Sequence, residues 1–108
     1  MIRRIALVQR KQGMTVEEFW EHYKGPHAAI VQKMPGLRKM VLSRIESPQT
    51  AQWDAVGELW FDDIAALEQA FADPEIARLL QDDRPRFLGQ STVIIVEEVT
   101  FWPSASTG

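Results

Sequence analysis

Hydrophobic and polar residues repeat with two different periods along this chain, and the changes of period divide it into six elements. Four segments show the short alternation or the apolar run that is typical of β-strands. These predicted strands are Met1–Lys11, Leu37–Ile45, Trp53–Phe61 and Thr92–Trp102, with a turn-rich connection at Ser47–Gln52. Two intervening segments have the wider spacing of amphipathic helices. The order β-α-β-β-α-β predicts an α+β fold: a ferredoxin-like sandwich in which two helices cover one face of a four-stranded antiparallel sheet.

The first predicted helix has the clearest start signal in the chain. Thr15 followed by Glu18 forms a capping box, so the helix is expected to begin at Val16. A rotation of about 100° per residue defines a core-facing stripe. Its members are Val16, Phe19, Trp20, Tyr23, His27, Ile30, Val31 and Met34. His22 falls on the opposite, charged face, so the two histidines are expected to have different surroundings. Pro26 removes a backbone donor, which predicts a kink or a restart there.

The second helical segment is predicted in two pieces. Asp62 or Asp63 is expected to cap the first piece. The buried side of this piece is expected to consist of Ile64, Leu67, Ala70 and Phe71. Pro74 at a first helical position restarts the helix. The apolar side of the second piece is expected to contain Ile76, Leu79 and Leu80. This piece should end near Gln81, because Asp82–Pro85 is typical of a helix-breaking sequence.

The predicted strands are apolar on both faces. In the first strand Ile5 and Leu7 alternate with Ala6 and Val8, and the last strand is apolar through residues 93–96. Two helices protect only one face of such a sheet, and an exposed apolar face of this size is unusual for a monomer. We therefore expect a homodimer in which two sheets pack face to face.

Length and composition narrow the class of protein. A chain of 108 residues with 45% hydrophobic residues is predicted to form one globular domain, residues 1–102, followed by a loose tail, residues 103–108. The lack of cysteine, of a leader and of a long apolar segment favours a cytoplasmic protein that does not enter a membrane. A net charge of −3, with acids and bases interspersed, does not favour a nucleic-acid partner. Four tryptophans indicate an aromatic wall in a core, a pocket or an interface.

His27 is the residue best placed for chemistry near neutral pH, because an imidazole among apolar groups can be tuned for proton transfer. The same position also fits a core histidine with internal hydrogen bonds. Tyr23 lies one turn earlier on the stripe, where it either reaches the same ligand or belongs to the core. Glu58, beside Trp60 in the third strand, either orients a histidine in an enclosed site or pairs with an arginine.

Other chemistries find no support in the sequence. Two histidines without an HExxH spacing and without cysteine do not indicate a metal site. The glycine-rich motifs of phosphate and dinucleotide binding are absent, and so is the nucleophile motif of α/β-hydrolases. No metal and no cofactor are therefore expected, and the predicted chemistry is proton transfer.

Two longer segments resemble a known family. EEFWEHYKGPHAAIVQKMPGLRKMV, residues 17–41, is similar to the signature of the EthD-like family of dimeric α+β barrel proteins. ELWFDDIAALEQAFADPE, residues 58–75, resembles that family's passage from strand to helix, and Asp83 with Phe87 resembles its acidic and aromatic pair. The resemblance implies a cleft between helices and sheet for small hydrophobic or aromatic molecules. It also implies that His27 is the helix histidine that acts as acid or base and that Tyr23 supplies the hydroxyl before it.

These features lead to three functional hypotheses. The preferred one is a cofactor-free lyase, isomerase or cyclase, in which His27 moves a proton on a hydrophobic, aromatic or lactone-like substrate and Tyr23 polarises a substrate oxygen. The second is a binding module that encloses a small apolar ligand without catalysis. The third is haem- or oxygen-dependent oxidation on the same fold. The residues expected to bind the substrate are Phe19, Trp20, Met40, Glu58, Trp60, Asp83 and Phe87.

Overall fold

The chain folds as a ferredoxin-like α+β sandwich, which confirms the predicted order of elements. The computed structural model describes residues 1–47 and 52–103; residues 48–51 of the predicted connection and residues 104–108 of the predicted tail lie outside this description. The strands are β1 (Ile2–Arg10), β2 (Lys39–Arg44), β3 (Ala55–Phe61) and β4 (Leu88–Glu97). The helices are α1 (Val16–His22), α2 (Ala28–Val31), α3 (Ile64–Ala72) and α4 (Pro74–Asp83). A π-turn (Tyr23–His27) joins α1 to α2, and a 3₁₀ turn (Arg84–Arg86) follows α4.

The four strands form one antiparallel sheet in the order β2-β3-β1-β4. The strand β1 is central and pairs with β3 on one side and β4 on the other. Ala6 and Val8 are buried, so the even-numbered residues of β1 face the helices. Two apolar clusters fill the space between this face and the helices, one around Phe19 and one around Phe61.

The first helix begins where the sequence predicts. The hydroxyl oxygen of Thr15 accepts a hydrogen bond from the backbone N–H of Glu18, and the Glu18 carboxylate accepts one from the N–H of Thr15. The irregularity at Pro26 takes the form of the π-turn, in which the N–H of Ala28 donates to the carbonyl oxygen of Tyr23. Pro26 has no N–H to donate, and the wider turn carries the helix past it without a break.

The core-facing stripe of this helix is confirmed. Its fully buried members are Phe19, Tyr23, Val31 and Met34. Ala28 is also buried, although regular spacing leaves it off the stripe. The π-turn explains the difference, because it adds a residue to the turn and so changes which side chains after it face the sheet.

The last strand differs from its prediction at both ends. The pairing of β4 with β1 runs from Leu88 opposite Arg10 to Glu97 opposite Ile2, so the partner strand determines where β4 begins and stops. The predicted strand starts later and runs on to residue 102. Phe101 instead lies beyond the strand and is 86% exposed.

The second helical segment matches its prediction in outline. The Asp63 carboxylate caps α3 by accepting a hydrogen bond from the N–H of Ala66. Ile64, expected in the core, is 42% exposed because it stands in the first turn of α3, before the helix meets the core at Leu67. The helix α4 does not stop near residue 81 but continues to Asp83, which is buried.

The sheet face away from the helices is open in a single chain. Glu58 and Trp60 lie on it, because they alternate with Leu59, which packs in the helix-side core. Ile94 stands opposite Ile5 on the same open face and is 53% exposed. The sheet therefore has the two-sided apolar character that the sequence predicts.

Candidate functional site

A cleft of about 280 Å³ lies between the sheet and the helices, on the helix-covered side. Most of its wall is apolar, including Met34, Leu42 and Leu59. The polar side chains at its surface are Arg4, Tyr23, His27, Arg84 and Ser91. An apolar cavity with a few polar groups is the usual form of a small-molecule site.

One carboxylate holds both histidines of the chain. Asp83, at the end of α4, is only 6% exposed. Its Oδ1 lies 2.7 Å from Nε2 of His22, and its Oδ2 lies 3.1 Å from Nδ1 of His27. Phe87 lies against both rings, with centroid distances of 4.8 Å to His22 and 4.9 Å to His27. Two ring N–H donors thus compensate the burial of this carboxylate.

His27 is anchored at one ring nitrogen and lines the cleft. An ionised carboxylate only accepts hydrogen bonds, so the contact with Asp83 assigns the proton of neutral His27 to Nδ1 and leaves Nε2 as the basic nitrogen. Burial lowers the pKa of His27 and outweighs the hydrogen bond and charge of Asp83, which raise it. His27 is therefore neutral at pH 7 and suited to accept a proton.

Tyr23 lies beside His27, with their ring centres 5.4 Å apart. Gly57 of β3 makes room for its hydroxyl group, because a Cβ atom at that position would stand 2.2 Å from the Tyr23 oxygen. Burial raises the pKa of Tyr23 to about 12, against the opposing charge of Arg4. Tyr23 is therefore a neutral hydrogen-bond donor at neutral pH, next to a neutral base.

Two arginines of the cleft are not singled out by the sequence pattern. Arg4 lies on the helix-facing side of β1 and is half-buried, with its guanidinium 4.6 Å from the ring centre of Phe71. Arg84 directly follows α4. In the sequence Arg4 is one of several basic residues at the end of a strand. Alternation puts Arg4 on the same face as Ala6 and Val8, and the burial of those two residues in the structure identifies this face as the cleft side.

Some of the residues expected to bind the substrate do lie in the cleft. Met40 and Phe87 line it. Phe19 lies behind Tyr23 in the core, with ring centres 5.4 Å apart, and Trp20 packs against the same core cluster without lining the cleft. The aromatic part of the site is therefore built from tyrosine and phenylalanine, and not from the tryptophans that suggested an aromatic wall.

Glu58 and Trp60 are placed differently from the expectation, on the open face of the sheet and away from the cleft. Glu58 forms an ion pair with Arg3 at 3.3 Å, which is the second of the two interpretations of this residue. The indole N–H of Trp60 donates to the carboxylate of Glu98 at 2.5 Å. Alternation correctly puts Glu58 and Trp60 on one face. Because both faces are apolar, it does not indicate which face the helices cover.

The expected position of His22 on a charged outer face is wrong. The side chain is only 19% exposed and binds the same carboxylate as His27. The helical wheel describes burial against the sheet, whereas His22 is covered from the side by the end of α4 and by Phe87. The carboxylate that orients the cleft histidine is therefore Asp83 and not Glu58.

Residues 1–47 and 52–103 contain no group of three or more histidine, cysteine or acidic side chains placed to hold a metal ion. They also contain no helix long and apolar enough to cross a membrane.

An α+β sandwich with a cleft beside a helix histidine defines a class of small ferredoxin-like domains, and comparison identifies the family. The EthD domain model matches residues 11–91, which include the cleft helix and Asp83. An uncharacterized 11.0 kDa protein in the thcB-thcC intergenic region of Rhodococcus erythropolis is 30% identical over 89 residues, covering 79% of this chain and 84% of the relative. An ethyl tert-butyl ether d (EthD) family protein from Bacillus halodurans has a TM-score of 0.76 and 31% identity, covering 92% of this chain and 99% of that chain. The chain belongs to the EthD family, which confirms the resemblance in its sequence.

The fold is shared more widely than the sequence. SnoaB from Streptomyces nogalater, a cofactor-independent oxygenase, has a TM-score of 0.72 at 17% identity, covering 95% of this chain and 97% of that chain. At this identity the similarity establishes the fold alone.

Proposed function

We propose that this chain is a cofactor-free enzyme, a lyase, isomerase or cyclase, that transfers a proton on a small hydrophobic, aromatic or lactone-like substrate in the cleft. The observation that carries the proposal is the arrangement of His27. Its Nδ1–H is held by the buried Asp83 while the ring lines an apolar cavity. This arrangement supplies a base of defined tautomer and orientation.

The reaction begins when Nε2 of His27 accepts a proton from an acidic carbon of the substrate. The negative charge that remains moves to a substrate oxygen, to which the phenol of Tyr23 donates a hydrogen bond. Asp83 stabilises the imidazolium that forms, through the hydrogen bond already in place at Nδ1. His27 then returns the proton to another atom of the substrate. The atom that receives the proton decides between isomerisation, elimination and ring closure.

A matched pair of variants tests this proposal. His27 and His22 bind the same carboxylate, and only His27 lines the cleft. Proton abstraction is measured as deuterium incorporation at the acidic carbon of small enolisable lactones and polyketide-like aromatics in D₂O, by NMR, whatever the product. We expect His27→Gln to lower the exchange rate about 10²- to 10⁴-fold, and His22→Gln to lower it far less. Exchange that is as fast in His27→Gln as in the wild type would reject the proposal, and binding without exchange would support the binding module.

A second candidate is oxygenation without a cofactor. A substrate deprotonated by His27 is electron-rich, and molecular oxygen would be the oxidant. The solved oxygenase with the same fold is the observation that favours this candidate. Oxygen uptake on the same compounds separates the two functions: exchange without uptake supports the first, and uptake that depends on His27 supports the second.

We also propose that residues 1–102 form one domain that acts in the cytoplasm as a homodimer through the open face of the sheet. An apolar surface such as that around Ile94, 53% exposed, is better covered than left in water. Solved proteins of this fold from Bacteroides fragilis and Thermobifida fusca, 17% and 15% identical, are dimeric. Light scattering at micromolar concentration should give twice the chain mass, and a value of 12.4 kDa would contradict the dimer.

A further inference from the structure

The cleft is lined by two positively charged side chains. Arg4 on β1 and Arg84 after α4 both line the cavity. Within the described ranges neither guanidinium forms an ion pair. Arg10, by contrast, binds Asp54 at 2.8 Å. The cleft therefore carries two positive charges, although the chain as a whole has a net charge of −3.

The surroundings of Arg4 make its charge costly when the cleft is empty. Its side chain is half-buried and stacks on Phe71 at 4.6 Å. Burial lowers the pKa of Arg4, and the charge of Arg84 lowers it further. Arginine side chains in proteins keep their proton at neutral pH. A positive charge that is partly removed from water, as in Arg4, opposes folding until a negative charge joins it.

The acidic side chain next to this pair binds the two histidines. Asp83 precedes Arg84 in the chain, but its two oxygens bind His22 and His27. Asp83 therefore makes no hydrogen bond to either guanidinium in the described part of the chain, and the N–H donors of Arg4 and Arg84 remain available to a ligand.

We infer that the cleft takes a small apolar molecule that carries a carboxylate, and that Arg4 and Arg84 bind this carboxylate. The inference rests on the proposed function and names its substrate class. A guanidinium offers a planar fork of N–H donors that matches the two oxygens of a carboxylate. The apolar walls, among them Met40 and Leu59, contact the rest of the molecule. His27 lines the same cavity as the two arginines, so a carboxylate bound to them lies in the cavity that holds the proposed base.

Two inert probes with the same ring system separate charge from shape. Naphthoate carries the carboxylate, and naphthamide is its neutral counterpart. Binding of each to the full chain is measured by titration calorimetry, so the result does not depend on turnover. The variants are Arg4→Gln, Arg84→Gln and, as a control with the same change of charge, Arg78→Gln, which is exposed and away from the cleft.

We expect the wild type to bind naphthoate about tenfold more tightly than naphthamide, a difference of about 1.4 kcal/mol. Arg4→Gln and Arg84→Gln should each reduce this preference and leave naphthamide binding nearly unchanged, while Arg78→Gln keeps the preference. Added salt should weaken naphthoate binding only. Since Arg84 is exposed, its variant keeps the test valid even when Arg4→Gln does not fold.

Equal affinity for the two probes, or a preference that survives in both cleft variants, overturns the inference. Binding of both probes without preference refutes the inference and leaves the proposed proton transfer standing. A preference for naphthoate in a protein that never exchanges protons supports the inference and refutes the proposed function. If neither probe binds, the inference is overturned, and the deuterium-exchange experiment alone decides the proposed proton transfer.

Discussion

Replacement of Asp83 by asparagine tests whether one carboxylate organises the two histidines. The wild-type side chain accepts two ring N–H groups, at 2.7 Å and 3.1 Å. An asparagine of the same size offers one acceptor oxygen and one NH₂ group, so either His22 or His27 must lose its acceptor or change tautomer. A hydrogen bond to a charged group contributes about 1.5–3 kcal/mol, and Asp83 is 6% exposed, so solvent does not replace it. We expect the free energy of unfolding to fall by that amount.

The same variant has an effect on proton affinity with a defined sign. The hydrogen bond and charge of Asp83 raise the pKa of His27 against the larger effect of burial, so their removal should lower that pKa further. Urea unfolding at a fixed protein concentration measures the first effect, and an NMR titration of the His27 ring protons measures the second. Asp82→Asn, an exposed neighbour with the same change of charge, should alter neither. Unchanged stability together with an unchanged or higher pKa of His27 would refute the reasoning.

Three further perturbations address the cleft and its helix. Gly57→Ala places a methyl group 2.2 Å from the Tyr23 oxygen and should lower the free energy of unfolding by about 1–3 kcal/mol in a thermal unfolding experiment. Gly25→Ala is the control and should cost nothing, because no atom lies within 4 Å of the added Cβ. Equal melting temperatures of the two variants would contradict the close approach. Thr15→Ala removes the helix cap and should lower the free energy of unfolding by about 1 kcal/mol. Thr15→Ser should retain most of the stability that the cap provides. An alanine variant as stable as the wild type would mean that the capping box does not stabilise the helix. Burial raises the pKa of Tyr23 to about 12, whereas the pKa of tyrosine in an unfolded chain is about 10. This difference corresponds to about 2–3 kcal/mol of stability, which is present below pH 10 and lost as the pH rises to 12. Tyr23→Phe should remove this loss, and absorbance of tyrosinate near pH 10 in the folded protein would contradict it.

Local rules of sequence account for much of this fold. The capping box at Thr15 and Glu18 depends on residues three apart, and it forms as predicted. The order of strands and helices follows from periodicity, which is also local. The same rule brings His27 and Tyr23 to the cleft, because a stripe of apolar residues on a helix identifies the side that meets the sheet.

The parts that were not predicted depend on contacts distant in sequence. His22 and Asp83 are separated by 61 positions, and no pattern within the helix indicates that a second helix covers its side. The ends of β4 follow from the length of its partner β1. The placement of Glu58 and Arg4 required knowing which of two apolar faces the helices cover, and alternation is the same for either choice.

The shared contact of His22 and His27 with Asp83 depends on the one extra residue that the π-turn contains. In a regular α-helix, residues five apart point about 140° away from each other. The π-turn closes its hydrogen-bonded ring over five residues, and His22 and His27 meet one carboxylate. A chain that lacked Pro26 would be one residue shorter here and would close as an ordinary α-helix. We therefore expect this one-residue deletion to keep the fold and to separate the two histidines from their shared carboxylate.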